Sequence, residues 1–264
     1  MPLGLRSAIG SDVGRRRAAN QDAGAISDRL LAVADGMGGH AHGEVASALT
    51  VAALADLDDR LPSDLRDVDL PALLAEGLVD AARRLDERAD RDADLRGMGT
   101  TAIALLFDGT RLGVLHLGDS RIYLLRDGIL EQITKDHTVV QALVDEGRIT
   151  AEEAATHPRR SVLLRALQAG HDPEPDLWVR EALAGDRYLL CSDGVTAVLP
   201  DAAVREVLAS DPDPDVVVAR LIALANEGGG PDNITCVVAD VVDGPVPEQP
   251  RVLVGSATPV PQPD

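Results

Sequence analysis

The sequence predicts an α+β fold built on antiparallel sheet, and three observations carry that prediction. After Gly99, short apolar runs are joined by Asp108-Gly109-Thr110, Gly118-Asp119-Ser120 and Asp127-Gly128, links too short for a crossover, which forces an antiparallel meander. Leu30 to Ala34 is apolar on both faces, as strands covered from both sides are, and Arg187 to Ser192 reads as another buried strand. Amphipathic helices flank the meander.

In chain order, Leu3 to Ile9 reads as a first strand, and Ser11-Asp12-Val13-Gly14 turns the chain into Arg15-Arg16-Arg17-Ala18-Ala19-Asn20-Gln21-Asp22. Helices are predicted over 43–61 and 70–93, with Asp64 to Asp67 as the loop between them. The strands from Gly99 follow, and 136–147 reads as helix. Thr150-Ala151-Glu152-Glu153 is a capping box whose helix must end before Pro158. From there to about Glu174 the chain is loop-like and carries a second basic spot, Arg159-Arg160-Ser161. Asp176 to Glu181 and Arg187 to Cys191 return to strand. Pro200 and Asp201 open one helix, and Asp213-Pro214 opens another as N-cap and first-turn proline, closing at Gly228. Ile234 to Val242 is the last predicted strand. Beyond Asp243 the segment 244–264 is proline-rich and lacks periodicity, so it is expected to be disordered.

Composition excludes several classes of function. The chain has 264 residues, 45% of them hydrophobic, and a formal charge of −19 with Lys135 as its one lysine. So acidic a surface argues against a nucleic-acid partner. No run reaches 18 apolar residues and Met1 to Gly10 has no signal-peptide core, so no membrane partner is expected. Two cysteines, both in apolar strands, make no disulfide framework and suit a reducing cytoplasm. Asp90-x-Asp92-x-Asp94 and Asp211-x-Asp213-x-Asp215 fail as EF-hands, because the required Gly falls on Leu95 and Val216 and the final Glu on Thr101 and Ile222.

The stretch around which the chemistry gathers is Leu30-Leu31-Ala32-Val33-Ala34-Asp35-Gly36-Met37-Gly38-Gly39-His40. An apolar strand ends on Asp35, and the glycines after it let backbone approach a ligand closely. Unlike the hairpin pairs, Asp35-Gly36 leads into a helix. The figure recurs at Ser192-Asp193-Gly194 and Gly118-Asp119-Ser120, while Asp232-Asn233 stands just before the strand at Ile234. Were the four acids to converge, each pair about 4 Å apart would repel by roughly 4 kcal/mol at an effective dielectric of about 20. Raised pKa values or bound cations must relieve that. An all-oxygen ligand set suits Mg²⁺ or Mn²⁺ over Zn²⁺. The arginines at 15–17 would suit a phosphate dianion, which Arg grips bidentately.

Arg17-x-x-Asn20-Gln21-Asp22, Ala34-Asp35-Gly36-Met37-Gly38-Gly39, Gly99-Thr100-Thr101, Gly118-Asp119-Ser120-Arg121-x-Tyr123, Ser192-Asp193-Gly194 and Asp232-Asn233 together resemble the type 2C metal-dependent protein serine/threonine phosphatases, most of all their bacterial branch. The likeness spans residues 5–241. It implies a four-layer α-β-β-α sandwich with two central antiparallel sheets, a catalytic domain over 1–243 and a flap over about 138–175. By the same resemblance Asp35, Asp193 and Asp232 are metal ligands, with Gly36 contributing its carbonyl, and Asp119 and Asp193 hold a third, weaker ion beside a core pair of Mn²⁺ or Mg²⁺. Arg17 is implied to grip the phosphate and Asp22 to orient the attacking water, with Gln21 and Asn233 beside them. Ser161 and its arginines would touch substrate. Gln21 stands where family members often carry Glu and offers a neutral oxygen. Met37 replaces the His proposed as general acid in animal relatives, leaving His40 and His42 as nearby candidates.

The reaction implied is hydrolysis of phosphoserine and phosphothreonine in proteins by a metal-activated water, opposing bacterial serine/threonine kinases, in a cytoplasmic monomer. No covalent phosphoenzyme is needed, and the cysteine-phosphatase pattern fails because Ala197 and Val242 stand where an Arg is required. Lys135 has no glycine loop before it, which excludes a Walker site. A catalytically silent phosphoprotein-binding scaffold and a small-molecule phosphohydrolase are the competing readings.

Overall fold

The structure, a computed structural model, describes residues 3–37 and 42–258. Strands β1 (Leu3–Asp12), β2 (Asp22–Ile26) and β3 (Leu30–Met37) precede two long helices, α1 (Gly43–Arg60) and α2 (Leu70–Arg91). The meander follows as β4 (Gly99–Thr100), β5 (Ala102–Phe107), β6 (Arg111–Leu117), β7 (Arg121–Arg126) and β8 (Ile129–Gln132). Next come α3 (Val139–Asp145), α4 (Ala151–Ala155), β9 (Leu167–Gln168), β10 (Asp176–Glu181) and β11 (Arg187–Cys191). The chain continues through α5 (Asp193–Thr196), α6 (Asp201–Leu208), α7 (Pro214–Glu227), β12 (Ile234–Asp243) and β13 (Val252–Gly255).

Two antiparallel sheets form the centre. One runs β1-β12-β11-β7-β8, and the other runs β10-β6-β5-β3-β2-β13 with β4 and β9 attached beyond β3. The period of two along each strand divides its side chains between layers. Leu31 and Val33 of β3 and Ile103 and Leu105 of β5 meet Tyr188 and Leu190 of β11 and Val237 and Val241 of β12 between the sheets. Their neighbours Leu30, Ala32, Ala104 and Leu106 face outward onto Leu54, Leu74 and Leu78 of α1 and α2. On the far side Leu189, Cys191, Cys236 and Val238 pack against Val204, Leu208, Val217 and Leu221 of α6 and α7. This is the expected α-β-β-α order, and it explains why the strands read as continuous apolar runs.

Four local readings shift. β1 runs on to Asp12, paired with β12 along its whole length. β3 continues past Asp35, because Gly36 and Met37 pair with Thr100 and Gly99. The strand predicted from Gly99 is broken at Thr101 into β4 and β5. Helix α3 starts only at Val139, with Thr138 as N-cap accepting from Gln141 N–H.

The larger correction concerns the segment after Asp243, expected to be disordered. Val252–Gly255 pairs antiparallel with β2, from Val252 opposite Ile26 to Gly255 opposite Ala23. Arg251 reaches Asp59 at 2.7 Å, and Gln249 N–H donates to Asp28 Oδ1 at 2.6 Å. The prolines conceal a four-residue strand whose stabilisation comes from an open sheet edge elsewhere in the chain, a partner no local pattern reveals.

One polar knot holds the α6–α7 loop on the sheet. Buried Arg187 pairs with Asp240 through Nε at 2.6 Å and Nη2 at 2.9 Å, and donates to the carbonyls of Leu208, Asp211 and Pro212. Removing one partner of a buried ion pair costs far more than the pair contributes net. Arg187→Met is therefore expected to lower the stability measured by urea unfolding by about 3 kcal/mol, and an unchanged midpoint would show the knot to be dispensable.

Candidate active site

The site is assembled from the ends of both sheets. Asp35 is gripped through its backbone: its N–H donates to Thr101 Oγ1 at 2.9 Å, and its carbonyl accepts from Thr100 Oγ1 and Thr101 N–H, each at 2.9 Å. Gly36 N–H donates to Gln21 O at 3.1 Å. A Cβ at Gly36 would stand 2.1 Å from Gly43 O, so only glycine lets the end of β3 meet the start of α1.

From the other sheet, β11 stops at Cys191 and Asp193 opens α5. Ser192, at the N-cap position, makes no cap bond of its own; its hydroxyl donates instead to Asp22 Oδ2 at 2.7 Å. A Cβ at Gly194 would lie 1.9 Å from Asn233 O, which shows how closely the Asp193 and Asp232 segments abut. Asn233 then fastens the arginine loop, accepting from Gln21 N–H at 2.8 Å and donating to Val13 O and Ala19 O at 2.9 Å each. Asp119 follows Gly118, whose φ of +110° closes the β6–β7 link.

These elements border a cleft of about 360 Å³ lined by Asp35, Gly36, Asp119, Asp193, Asp232 and Arg17, with Gln21, Met37, Thr101, Ser161 and Leu163 completing it. Arg17 Nη2 bonds Asp232 Oδ2 at 2.6 Å and is half exposed. Arg15 and Arg16 are exposed. Gln21 Nε2 donates to Glu44 Oε2 at 2.8 Å. Ser161 and Leu163 bring the 138–175 segment to the rim. His42 pairs with Glu44 at 2.9 Å and does not line the cleft, while Gly38, Gly39 and His40 lie outside the described residues.

The electrostatics are those of acids forced together. Burial pushes the Asp193 carboxyl up to about 6, with Asp232 adding to the shift and Asp35 partly opposing it. Asp35 itself is driven well above the usual carboxylate range by burial and then by Asp22, Asp193, Asp119 and Asp232. Burial raises both Asp22 and Asp119 to about 7, Asp193 contributing to each. Asp193 Oδ1 and Asp22 Oδ1 are buried without a hydrogen-bond partner. Orphaned carboxylate oxygens in an all-oxygen cleft fit a hard divalent cation, which replaces the shared protons as the neutralising charge.

Sequence reasoning did not assign work to Ser192, Thr101 or the pair His116 and His137. His137 Nδ1 accepts from Gly118 N–H at 3.1 Å and Nε2 donates to Asp176 Oδ2 at 3.0 Å, with the His116 ring 4.4 Å away. With Nδ1 accepting, Nε2 carries the proton, so His137 braces the Asp119 turn, while both ring nitrogens of His116 are buried without a hydrogen-bond partner. The adjacent Gly-Thr-Thr and Ser-Asp-Gly motifs were the available signal for the first two; nothing local marks the third.

The chain matches the protein phosphatase 2C family over residues 9–212. It is 54% identical over 256 residues to serine/threonine protein phosphatase PstP of Mycobacterium tuberculosis, covering 97% of this chain and 49% of that protein, so it spans about half the length of that relative. Serine/threonine phosphatase stp of Listeria innocua is 35% identical over 235 residues, covering 87% of this chain and 93% of the relative. The crystal structure of the Mycobacterium tuberculosis PstP/Ppp phosphatase superposes with a TM-score of 0.85 at 55% identity, over 90% of this chain and 99% of that one. The catalytic domain of PstP in complex with two manganese ions gives 0.84 at 54% identity, over 91% and 100%. Matched over most of its length by the family model, by a relative at 35% identity and by a solved structure of the same overall fold, the chain belongs to the protein phosphatase 2C family.

Proposed function

We propose that this chain is a metal-dependent protein serine/threonine phosphatase, acting on phosphoserine and phosphothreonine in bacterial kinases and their targets. One observation carries the reading: Asp35 from one sheet and Asp193 from the other meet in a cleft that also holds Asp119, Asp232 and Arg17. In this reading Asp35, Asp193 and Asp232, with the Gly36 carbonyl, hold a core pair of Mn²⁺ or Mg²⁺, and Asp119 with Asp193 holds a third ion. Bound there, such cations acidify water and neutralise charge on phosphoryl oxygens in an in-line displacement.

The protein's own groups do the rest. Arg17 swings from Asp232 to the phosphate, exchanging one charge-assisted contact for another. Buried Asp22, held by Ser192, faces Asp35 across β2 and β3 and orients the attacking water. Leu163 and Ser161 cover the rim and seat the flanking peptide. Met37 offers no proton to the leaving oxygen. Retention of all four acids and Arg17 disfavours a silent scaffold. The buried free thiols Cys191 and Cys236 support action in a reducing cytoplasm.

The deciding test is turnover of a phosphothreonine peptide with and without EDTA. Activity in excess chelator would overturn the metal reading. Arg17→Ala is expected to raise KM about tenfold with metal affinity unchanged, whereas Arg15→Ala and Arg16→Ala remain near wild type; equal effects of all three would refute the assignment to Arg17.

Asp35 has a folded pKa above its unfolded value, so its charge opposes folding at neutral pH and that penalty fades on acidification. Asp35→Asn should thus raise the melting temperature of chelated protein by about 3 °C, the response to roughly 1 kcal/mol in a chain of this size. The same variant should lose the stabilisation that Mn²⁺ gives the wild type. A lower melting temperature in EDTA would contradict the repulsion account.

Asp193→Asn and Asp119→Asn separate the two roles. The first should abolish turnover and tight calorimetric Mn²⁺ binding. The second should leave two ions bound and slow kcat by about tenfold. Loss of the tight sites in Asp119→Asn would dissolve the distinction.

A further inference from the structure

The segment after Asp243 does more than close a sheet edge. Beyond β13 the chain makes a tight turn, with Thr258 N–H donating to Gly255 O at 3.1 Å, and this turn sets Ser256 against the backbone beneath the acidic cleft. Ser256 N–H donates to Asp22 O at 2.8 Å. Its hydroxyl lies 3.0 Å from the same carbonyl and 2.8 Å from Ser47 Oγ. Ser47 in turn donates to Gln21 O at 2.5 Å, the carbonyl that also receives Gly36 N–H. A line of hydrogen bonds therefore runs from Ser256 through Ser47 to the peptide groups of Gln21, Asp22 and Gly36.

A second, independent observation shows that this junction is shaped for the purpose. Gly255 has φ +65°, and a Cβ there would stand 2.2 Å from Asp22 O. Only a residue without a side chain lets the strap reach that carbonyl. Leu253 and Ala257 fill the apolar space beside Ala23, Ala25 and Val51, where β2 and β3 carry only alanines and a valine from α1 completes the wall. The outer end is held elsewhere, by Arg251 on Asp58 and Asp59, on the side of α1 remote from the cleft.

We propose that residues 249–258 are a strap belonging to the catalytic unit, with Ser256 as a positioning residue that holds the Gln21–Asp22 backbone in register with Asp35 and Gly36. Ser256 touches neither substrate nor cation; it acts through Ser47 and Asp22. The kinetic part of the proposal rests on the phosphatase reading, and the metal-binding part does not.

The test uses the 264-residue chain carrying Ser256→Ala, Gly255→Val or Arg251→Ala, compared by hydrogen exchange of the β2 amides, calorimetric Mn²⁺ titration and phosphothreonine-peptide kinetics. Ser256→Ala should keep β2 protected, yet weaken Mn²⁺ binding and lower kcat by about fivefold with KM unchanged, the scale of one lost hydrogen bond. Gly255→Val should release the strap, exposing β2 to exchange and costing more than about tenfold in Mn²⁺ affinity. Arg251→Ala loosens only the outer anchor and should leave Mn²⁺ titration and kcat at wild-type values. Wild-type metal binding and kcat in Ser256→Ala would overturn the proposal, as would equal losses in Arg251→Ala and Ser256→Ala, which would make the strap a general stabiliser. Should the wild type itself fail to turn over the peptide, the phosphatase reading falls, and exchange with Mn²⁺ titration still decides the strap.

Discussion

Mutual repulsion among carboxylates is the constraint to which the rest of the molecule answers. Asp35, Asp119, Asp193 and Asp232 share one cleft with buried Asp22 behind them, and an ionised pair about 4 Å apart would cost roughly 4 kcal/mol at an effective dielectric of about 20. Left to themselves such groups would separate or protonate. Burial first, and the neighbouring carboxylates after it, raise the pKa values of Asp22, Asp35, Asp119 and Asp193. Their remaining means of relief are shared protons, Arg17 and divalent cations, and the last is what makes the arrangement useful for handling a phosphate dianion.

Holding like charges together takes a rigid frame, and the sandwich supplies it. Because each sheet is covered on both faces, its strands are fixed by packing on either side, and their ends cannot drift without disturbing two cores. The acids are then secured by backbone hydrogen bonds that leave their side chains free. Thr100 and Thr101 hold the peptide groups of Asp35, and Asn233 ties the arginine loop to Asp232. Polar side chains spent on backbone in this way position the site without entering it.

The same logic explains the outer parts. His137 joins the Asp119 turn to Asp176 on β10, and Leu164 N–H donates to His137 O at 2.8 Å, so the segment carrying Ser161 is anchored to the strand end it overhangs. On the opposite flank the chain after Asp243 closes the β2 edge and reaches Asp22 from beneath. Site and periphery are thus linked by short runs of hydrogen bonds, some ending on the backbone of a strand end and others on a carboxylate.

The sequence by itself determined the layers and the acids. Two-sided apolar runs require sheets buried on both faces, and Asp-Gly after such a run, followed by a helix, places a carboxylate at a sheet's end; both are local patterns of period and turn chemistry, legible one segment at a time. Which acids meet was not legible in any local pattern, only in the family resemblance, since Asp35 and Asp193 stand 158 positions apart and the packing of the two sheets brings them into one cleft. Nor were the helix start at Val139, the bracing by His137 or the ordering of the chain beyond Asp243. Val252 to Gly255 has too few residues to specify a strand alone, and it becomes one because β2 presents an unpaired edge of N–H and C=O groups spaced to receive it. Local propensity decides what a segment can become, and tertiary structure decides it wherever the partner that satisfies the backbone lies far along the chain.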